Sequence, residues 1–345
     1  MKKAFVLAML AFLLVITVEA GEAKKWRIAL SNDYAGNSWR QTMLRDWEAA
    51  AQEAKDRGLI EEAPAFTINE SSAAEQAAQI QNLILEGYDA IVVQAGSPTA
   101  LNAAIREGIE AGIVMVCFEN AVTEKSAWNI IPSYIGMGEA EVDFVAKHFK
   151  EGNLLEVRGL AGTTADADIH QGIVNGMKKY PGLKIVNEVY GSWTQSIAQR
   201  EVAGIIPSLP DDIVAVVTQG GDGYGTIKAF EAAGRKIPMV MMGNRYDELK
   251  IWKELRDKNG YSTMSISGAP GISTIGFWTT LEILNGNDVP KEMHLQVPMV
   301  HDDTLDHYLS VTPEGGVVTI RYPQTWVQEF IKNTKEGKPQ PPDPK

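Results

Sequence analysis

The chain has 345 residues, a formal net charge of −12 and a single cysteine, Cys117. An acidic surface repels nucleic-acid phosphates and anionic lipids, and no cluster of Lys or Arg offsets it, so nucleic-acid binding is disfavoured. One cysteine cannot form an intramolecular disulfide, and the length predicts two domains with ordinary cores.

The first residues are typical of an export signal. Lys2 and Lys3 precede an apolar run over residues 4–18, and small residues follow at Ala20 and Ala23. The run is shorter than the roughly 20 apolar residues that a membrane helix needs. We therefore expect residues 1–23 to be a signal peptide that is cleaved on export, which leaves a periplasmic protein.

After this signal the chain opens with a strand, a polar loop and a long helix, which Asn37 can cap. In open α/β sheets such loops lie at the carboxyl ends of strands, where small ligands bind. The alternative is a surface loop with a tryptophan packed into the core. The residues predicted to line a cleft are Asp33, Asn37, Trp39 and Arg40.

The following chain alternates short apolar runs with amphipathic helical segments. Residues 89–94, 113–118 and 213–217 are apolar at almost every position, which is typical of parallel strands covered on both faces. The pattern predicts an α/β fold with two doubly wound, Rossmann-like parallel-sheet domains. A multi-strand hinge would join them, with the ligand cleft between. The proline-rich residues 336–345 are predicted to be a disordered tail.

Several motifs along residues 26–286 share an order and spacing with one known family. They include Arg27-Ile-Ala-Leu with Asn37-x-Trp39, then Gly159-Leu-Ala-Gly-Thr163, and later Tyr180-Pro-Gly. Together they resemble the type I periplasmic binding proteins, specifically the ribose-binding-like sugar receptors of ABC importers. The resemblance implies a first domain of residues 24–132 plus 268–290. It implies a second domain of residues 133–267, to which we assign residues 291–335 as a C-terminal extension.

The same resemblance implies further site residues. Sugars need aromatic plates against their C–H faces, and carboxylates or amides for their hydroxyls. Trp39 and Trp193 match the aromatic positions, although either could be a core residue instead. The polar positions match Glu119, Asn120, Asp222 and Asn244, for which the alternative is capping of the following helices.

Two departures from the family predict the class of ligand. Asp168 and Ile169 are also predicted to contact the ligand. Ile169 stands where family members carry an Arg that reaches into the cleft, and Asn120 replaces a second Arg. Arginine pairs with acceptor oxygens and balances carboxylates, so its loss disfavours acidic sugars. We expect a neutral ligand with an apolar or short polyol part against Ile169. Arg40 and Arg245 are the nearby candidates to refill the cationic role.

The leading hypothesis is therefore a monomeric periplasmic receptor that delivers a small neutral sugar or polyol to the permease of an ABC transporter, without catalysis or a cofactor. One alternative is a sensor domain for a chemoreceptor or kinase. A less favoured alternative is a hydrolase with Glu119 and Asp222 as its acids. No metal site is predicted, because Asp166-x-Asp168-x-His170 begins like a calcium loop but lacks the closing Glu. A second cluster, His301-Asp-Asp with His307, is expected to be solvated.

Overall fold

The computed structural model describes residues 24–68 and 72–344. The predicted signal peptide, residues 1–23, lies outside the described residues. Within the described ranges, no helix is long and apolar enough to cross a membrane.

The first part of the chain forms lobe one, a parallel sheet with helices on both faces. Its central strands carry apolar side chains at consecutive positions, and both faces are buried. The elements in this part are β1 (Trp26–Asn32), α1 (Ser38–Asp56), β2 (Ile60–Glu62), β3 (Ala65–Thr67), α2 (Ala73–Leu85), β4 (Ala90–Gln94), α3 (Asn102–Glu110), β5 (Val114–Phe118) and β6 (Trp128–Pro132).

The chain then leaves lobe one and builds lobe two, a second parallel sheet with the same layering. A short 3-10 turn at Ile206–Ser208 follows its third helix. The elements in this part are α4 (Tyr134–His148), β7 (Gly152–Arg158), α5 (Thr164–Lys179), β8 (Leu183–Tyr190), α6 (Gln195–Ile205), β9 (Ile213–Thr218), α7 (Gly223–Ala232), β10 (Met239–Val240), α8 (Tyr246–Asn259) and β11 (Ser265–Ile266).

The last part of the chain crosses between the lobes repeatedly. Its elements are α9 (Ile272–Leu284), β12 (Glu292–Leu295), β13 (Met299–Val300), α10 (Leu305–Val311) and α11 (Gln324–Lys335). The sheet of lobe one has the order β12-β6-β5-β4-β1-β2, with β3 also paired to β1. The sheet of lobe two has the order β10-β9-β7-β8, and β11 pairs antiparallel with β13.

Each sheet is buried on both faces by alternate side chains of the same strands. In lobe one, Val92 packs in the core beneath α1 and α9, whereas Ile91 and Val93 pack beneath α2 and α3. In lobe two, Leu155 packs towards α6 and α7, and Leu154 towards α4 and α5. This arrangement confirms the prediction of two doubly wound parallel-sheet lobes.

The C-terminal part of the chain departs from the expected domain assignment. β12 pairs in parallel with β6, so it extends the sheet of lobe one. α11 packs on α9, and its apolar side chains share a core with Trp47 and Trp278. The assignment of residues 291–335 to the second domain is therefore corrected. Only the excursion through β13 and α10, which includes Val300, Leu305 and Val318, joins the core of lobe two.

The proline-rich tail also differs from its prediction. The indole Nε1 of Trp326 donates to the carbonyl of Pro342 at 2.8 Å, and the backbone N–H of Gln296 donates to Oε1 of Gln340 at 2.8 Å. Pro341 is buried. These contacts hold residues 337–344 against α11 and against the residue that follows β12.

Candidate ligand-binding cleft

A cavity of about 380 Å³ lies between the two lobes, at the carboxyl ends of both sets of strands. Small-molecule sites typically measure about 300–1,000 Å³, so this space suits a single small ligand. The main contributors from lobe one are Asp33, Tyr34, Asn37, Trp39, Arg40, Glu119 and Asn120. Those from lobe two and the hinge include Tyr134, Leu160, Thr163, Ile169, Trp193, Ile197, Gln219, Arg245 and Ser267.

The loop after β1 places an ion pair and an aromatic ring at the cleft. Asn37 caps α1, because its Oδ1 accepts from the backbone N–H of Arg40 at 2.9 Å. This cap brings Nη1 of Arg40 to 3.2 Å from Oδ1 of Asp33. The Arg40 guanidinium also lies 5.4 Å from the ring centroid of Trp39. Trp39 itself is held by a hydrogen bond from Nε1 to the carbonyl of Gly268, at 2.6 Å.

Burial and a neighbouring positive charge have opposite effects on the pKa of Asp33. Burial raises the pKa of this carboxyl, and the positive charge of Arg40 opposes the rise. The two groups form an ion pair by distance, but Oδ1 of Asp33 accepts no hydrogen bond from any described residue. This acceptor is left with unmet hydrogen-bonding capacity, which a polar ligand could meet after a small rotation of the side chain.

Glu119 and Asn120 occupy the strand end after β5. Glu119 has a φ of 67°, in the left-handed region that costs about 1–3 kcal/mol for a residue other than glycine. Its carboxylate is held at both oxygens, because Gln94 donates to Oε2 and the Tyr134 hydroxyl donates to Oε1 at 2.8 Å. Burial raises the pKa of Glu119, while Arg40 and the Tyr134 hydroxyl lower it. Asn120 donates to the carbonyl of Ala95 at 3.0 Å, and its Oδ1 has no partner among the described residues.

The loop after β8 presents Trp193 from lobe two. Ser192 and Trp193 have φ values of 55° and 51°, two consecutive strained residues that the surroundings must hold in place. The indole Nε1 of Trp193 donates to the carbonyl of Gln219 at 3.0 Å. Nη2 of Arg245 donates to the carbonyl of Trp193 at 2.7 Å. Both ends of the residue are thereby fixed.

The cleft also has an apolar corner in lobe two. Ile169 on α5 lines it and is only 1% exposed, since the same side chain belongs to the core between α5 and the sheet. Leu160 and Ile197 add further apolar surface. A hydroxyl against this corner would lose its hydrogen bonds to water without replacement, so the corner favours a C–H or methyl group.

The comparisons with known proteins agree with this geometry. A family model described as a periplasmic binding protein domain matches residues 28–288, which is more than half of the chain. The chain belongs to this periplasmic binding protein family. The match and the fold confirm the resemblance to the type I, ribose-binding-like group that the sequence motifs indicated.

Three relatives of this periplasmic binding protein are informative. A solved ABC transporter solute binding protein from Thermobispora bispora shares 31% identity, with a TM-score of 0.86 over 93% of this chain and 99% of that one. A xylitol-binding protein of Mycolicibacterium smegmatis shares 25% identity over 68% of each chain. A D-ribose/D-allose-binding protein of Pseudomonas aeruginosa shares 23% identity over 82% of this chain and 89% of the relative.

The structure brings most of the sequence-predicted residues together at the cleft of this periplasmic binding protein. They are Asp33, Asn37, Trp39, Arg40, Glu119, Asn120, Ile169 and Trp193. Their contact with a ligand stays a prediction.

Three other predicted residues do not line the cavity. Asn244 is buried at the hinge, where it donates to the carbonyl of Pro298 at 3.1 Å and accepts from the Ser265 hydroxyl at 2.6 Å. Asp222 is 0% exposed, and burial raises its pKa well above the ordinary range while Arg245 opposes the rise. Asp168 is half-buried, and burial raises its pKa while the charge of His294 in lobe one opposes the rise.

Sequence reasoning missed several cleft residues. Tyr134 follows directly after the first hinge crossing, and Gln219 follows directly after β9. Gln219 is an organising residue, since its Oε1 accepts from the backbone N–H of Gly159 at 2.9 Å and its amide donates to the carbonyl of Asp166 at 3.0 Å. Its position at a strand end was the signal that could have identified it.

Proposed function

We propose that this periplasmic binding protein captures a small neutral sugar or polyol between its lobes and delivers it to the permease of an ABC transporter. The observation that carries the proposal is the position of Trp39 and Trp193 on opposite lobes of one cavity, with polar groups between them. Aromatic rings suit the C–H faces of a sugar, and the amide and carboxylate oxygens suit its hydroxyls.

The charge balance of the cleft supports a neutral ligand. Two guanidinium groups line it, Arg40 and Arg245, and two carboxyl groups line it, Asp33 and Glu119. Arg40 is paired with Asp33, and Arg245 is bonded to the carbonyl of Trp193. The charge of Arg245 also acts on the buried carboxyl groups of Asp222 and Glu248, so each cation already has an acidic neighbour and an acidic sugar is disfavoured.

The relatives also support a neutral ligand, because two of them are named for binding xylitol or ribose and allose. We propose that ribose itself is a poor ligand for this chain, since Ile169 occupies a corner that the resemblance assigns to an Arg. A ligand with a methyl, a deoxy position or a short polyol end fits that corner better.

The direct experiment is thermal unfolding against a panel of neutral sugars, polyols and uronic acids, followed by calorimetry on the hits. At a ligand concentration of 100 times Kd the expected stabilisation is about 2.7 kcal/mol. Tight binding of a uronate, or of ribose in preference to all other sugars, would contradict the proposal.

We propose that binding occurs without turnover. A hydrolase of the kind considered above needs two acids at the reacting centre. Asp222 does not line the cavity, and both oxygens of Glu119 are occupied by Gln94 and Tyr134. Mass spectrometry of the ligand after incubation with excess protein is expected to find it unchanged. A new product would overturn this part of the proposal.

We also propose that the working protein is a periplasmic monomer without residues 1–20 or 1–23. N-terminal sequencing of the protein from a periplasmic extract is expected to begin at Gly21 or Lys24, and a start at Met1 would contradict it. Sedimentation of the purified protein is expected to give the mass of one chain.

A further inference from the structure

Three side chains meet on the face of the lobe-two sheet that α5 covers, near its edge. β8 is the edge strand, and in its parallel pairing with β7 Glu156 stands opposite Glu188. His170 reaches down from α5, with Nδ1 2.8 Å from Oε1 of Glu156. One ligand atom from each of Glu156, His170 and Glu188 lies within 4.8 Å of the other two.

These three side chains come together because four residues of a helix span nearly the same length as two residues of a strand. Asp166 and His170 are four residues apart on α5, a rise of about 6 Å. Their partners on β7, Arg158 and Glu156, are two residues apart, a rise of about 6.6 Å. The two pairs therefore form consecutive rungs between helix and strand, and Glu188 extends the second rung to the edge strand.

In the first rung the two charged side chains are fully paired, whereas in the second rung one carboxylate oxygen has no hydrogen-bond partner among the described residues. Arg158 donates to both oxygens of Asp166, at 3.1 and 2.8 Å, so its charge is matched. Its only approach to Glu188 is at 3.9 Å. Glu156 is 0% exposed, yet its Oε2 accepts no hydrogen bond from any described residue. A buried carboxylate oxygen without a partner is costly, and this one belongs to a group with a second carboxylate beside it.

A cation placed between Glu156 and Glu188 would offset the charges of these two carboxylates and would give the unpartnered Oε2 of Glu156 a partner.

We infer that Glu156, His170 and Glu188 bind a divalent transition-metal cation, with Zn²⁺ the best match. One imidazole nitrogen and two carboxylate oxygens are a ligand set that zinc accepts, and water can complete a tetrahedron from the solvent side. Ligand atoms about 2.1 Å from the ion lie about 3.4 Å apart, so the side chains need only small movements. Two carboxylates balance the charge of the ion, and Ca²⁺ or Mg²⁺ would gain little from a nitrogen ligand.

The site differs from the calcium loop that the Asp166-x-Asp168-x-His170 spacing suggested. Of those three residues only His170 takes part, because Asp166 is paired with Arg158 and Asp168 lies outside the cluster. The expectation of no metal site rested on two clusters of residues that lie close together in the sequence. The inferred ligands come from two strands and a helix, and β-strand pairing brings them together.

The experiment uses tag-free, chelator-treated and dialysed protein, titrated by calorimetry with ZnCl₂, MgCl₂ and CaCl₂. One Zn²⁺ per chain is expected to bind and raise the temperature of unfolding, with Mg²⁺ and Ca²⁺ having much smaller effects. The variants His170→Gln and Glu188→Gln, which change partly exposed side chains, are expected to weaken Zn²⁺ binding at least about tenfold.

The matched control is His294→Gln. His294 forms a similar pair with Glu292 at 2.8 Å, but both side chains are exposed and no third ligand is near enough among the described residues. Its loss is expected to leave Zn²⁺ affinity unchanged. Absence of Zn²⁺ binding by the unaltered protein would overturn the inference. So would equal affinity in all variants, or a loss in His294→Gln in place of His170→Gln.

Discussion

Gly159 lies directly against the indole ring of Trp193. A Cβ on residue 159 would be 2.3 Å from Cε2 of that ring, closer than real side chains approach. The glycine at the end of β7 is therefore what allows Trp193 to lie over the strand ends and line the cleft. A residue outside the apparent ligand set thus determines where one of the aromatic rings can be.

Gly159→Ala is expected to displace the Trp193 ring and weaken ligand binding by about 1–3 kcal/mol, as loss of the aromatic contact would. Calorimetry with the best ligand from the sugar panel measures the change. Gly204→Ala is the matched control, because a Cβ there meets nothing within 4 Å. Equal affinity in the two variants would show that the ring position does not matter.

Trp39→Ala and Trp193→Ala are each expected to cost about 1–3 kcal/mol of binding free energy, because each removes one aromatic surface from the cleft. Tryptophan emission of the unaltered protein is expected to shift on ligand addition, and less in each variant. Trp128→Phe is the control, since Trp128 packs beside Lys291 and does not line the cavity. Lower stability with unchanged affinity in both alanine variants would identify the two residues as core residues only.

Ile169 and Ile173 lie one turn apart on α5 and share a core, but only Ile169 lines the cleft. Replacing either by Val is expected to lower the free energy of unfolding by about 0.5–1.5 kcal/mol. Only Ile169→Val is expected to change ligand affinity. Ile169→Arg is expected to abolish binding of a neutral ligand, and a gain in affinity for the native ligand would refute the apolar corner.

Glu141→Gln is expected to stabilise the protein increasingly as the pH rises. Burial raises the pKa of Glu141 well above its ordinary value of 4.5, with the charge of Glu156 adding to the rise and the backbone N–H of Thr218 opposing it. Above pH 4.5 the unfolded chain releases this proton while the folded chain keeps it, so the free energy of unfolding falls as pH rises towards the folded-state pKa.

The amide of Gln can still accept from Thr218 but carries no charge, so the variant escapes this loss. Chemical denaturation between acid and mildly alkaline pH is expected to show the two curves diverging upwards in pH. Glu139→Gln on the exposed side of the same helix, where it pairs with Lys179, is the control and is expected to follow the unaltered protein. Parallel curves for Glu141→Gln would contradict the assignment.

The fold could be predicted because its signals are local. Strands such as β4 and β5 are apolar at consecutive positions, and this pattern is legible without knowledge of any partner. The sheet that β12 joins could not be predicted from the sequence. Its partner β6 lies about 160 residues earlier in the chain, and the four residues of β12 contain no sequence signal that indicates which sheet they extend. The lobe on which α11 packs depends on the surface that α9 offers, with which the apolar side chains of α11 share a core.

The site could be predicted to the level of strand ends and no further. Asp33 and Asp222 both follow strands and look alike in the sequence. Asp33 lines the cleft, whereas Asp222 lies beneath the loop at Gly191, where a Cβ would be 2.8 Å from its carboxyl carbon. Whether such an aspartate reaches the cleft depends on whether another segment of the chain covers it. The spacing of residues in the sequence does not predict this.

The first strand and the last helix of the described chain both belong to lobe one. Trp26 is bonded to Asn285 of that lobe, and Trp326 packs in the same core. Lobe two is therefore built from two segments inserted within lobe one, the first from α4 to β11 and the second through β13 and α10. When force is applied between Trp26 and α11, the load passes through lobe one, and lobe two stays off the force path until lobe one has ruptured. In a single-molecule stretching record with these two attachment points, lobe one is expected to lengthen first.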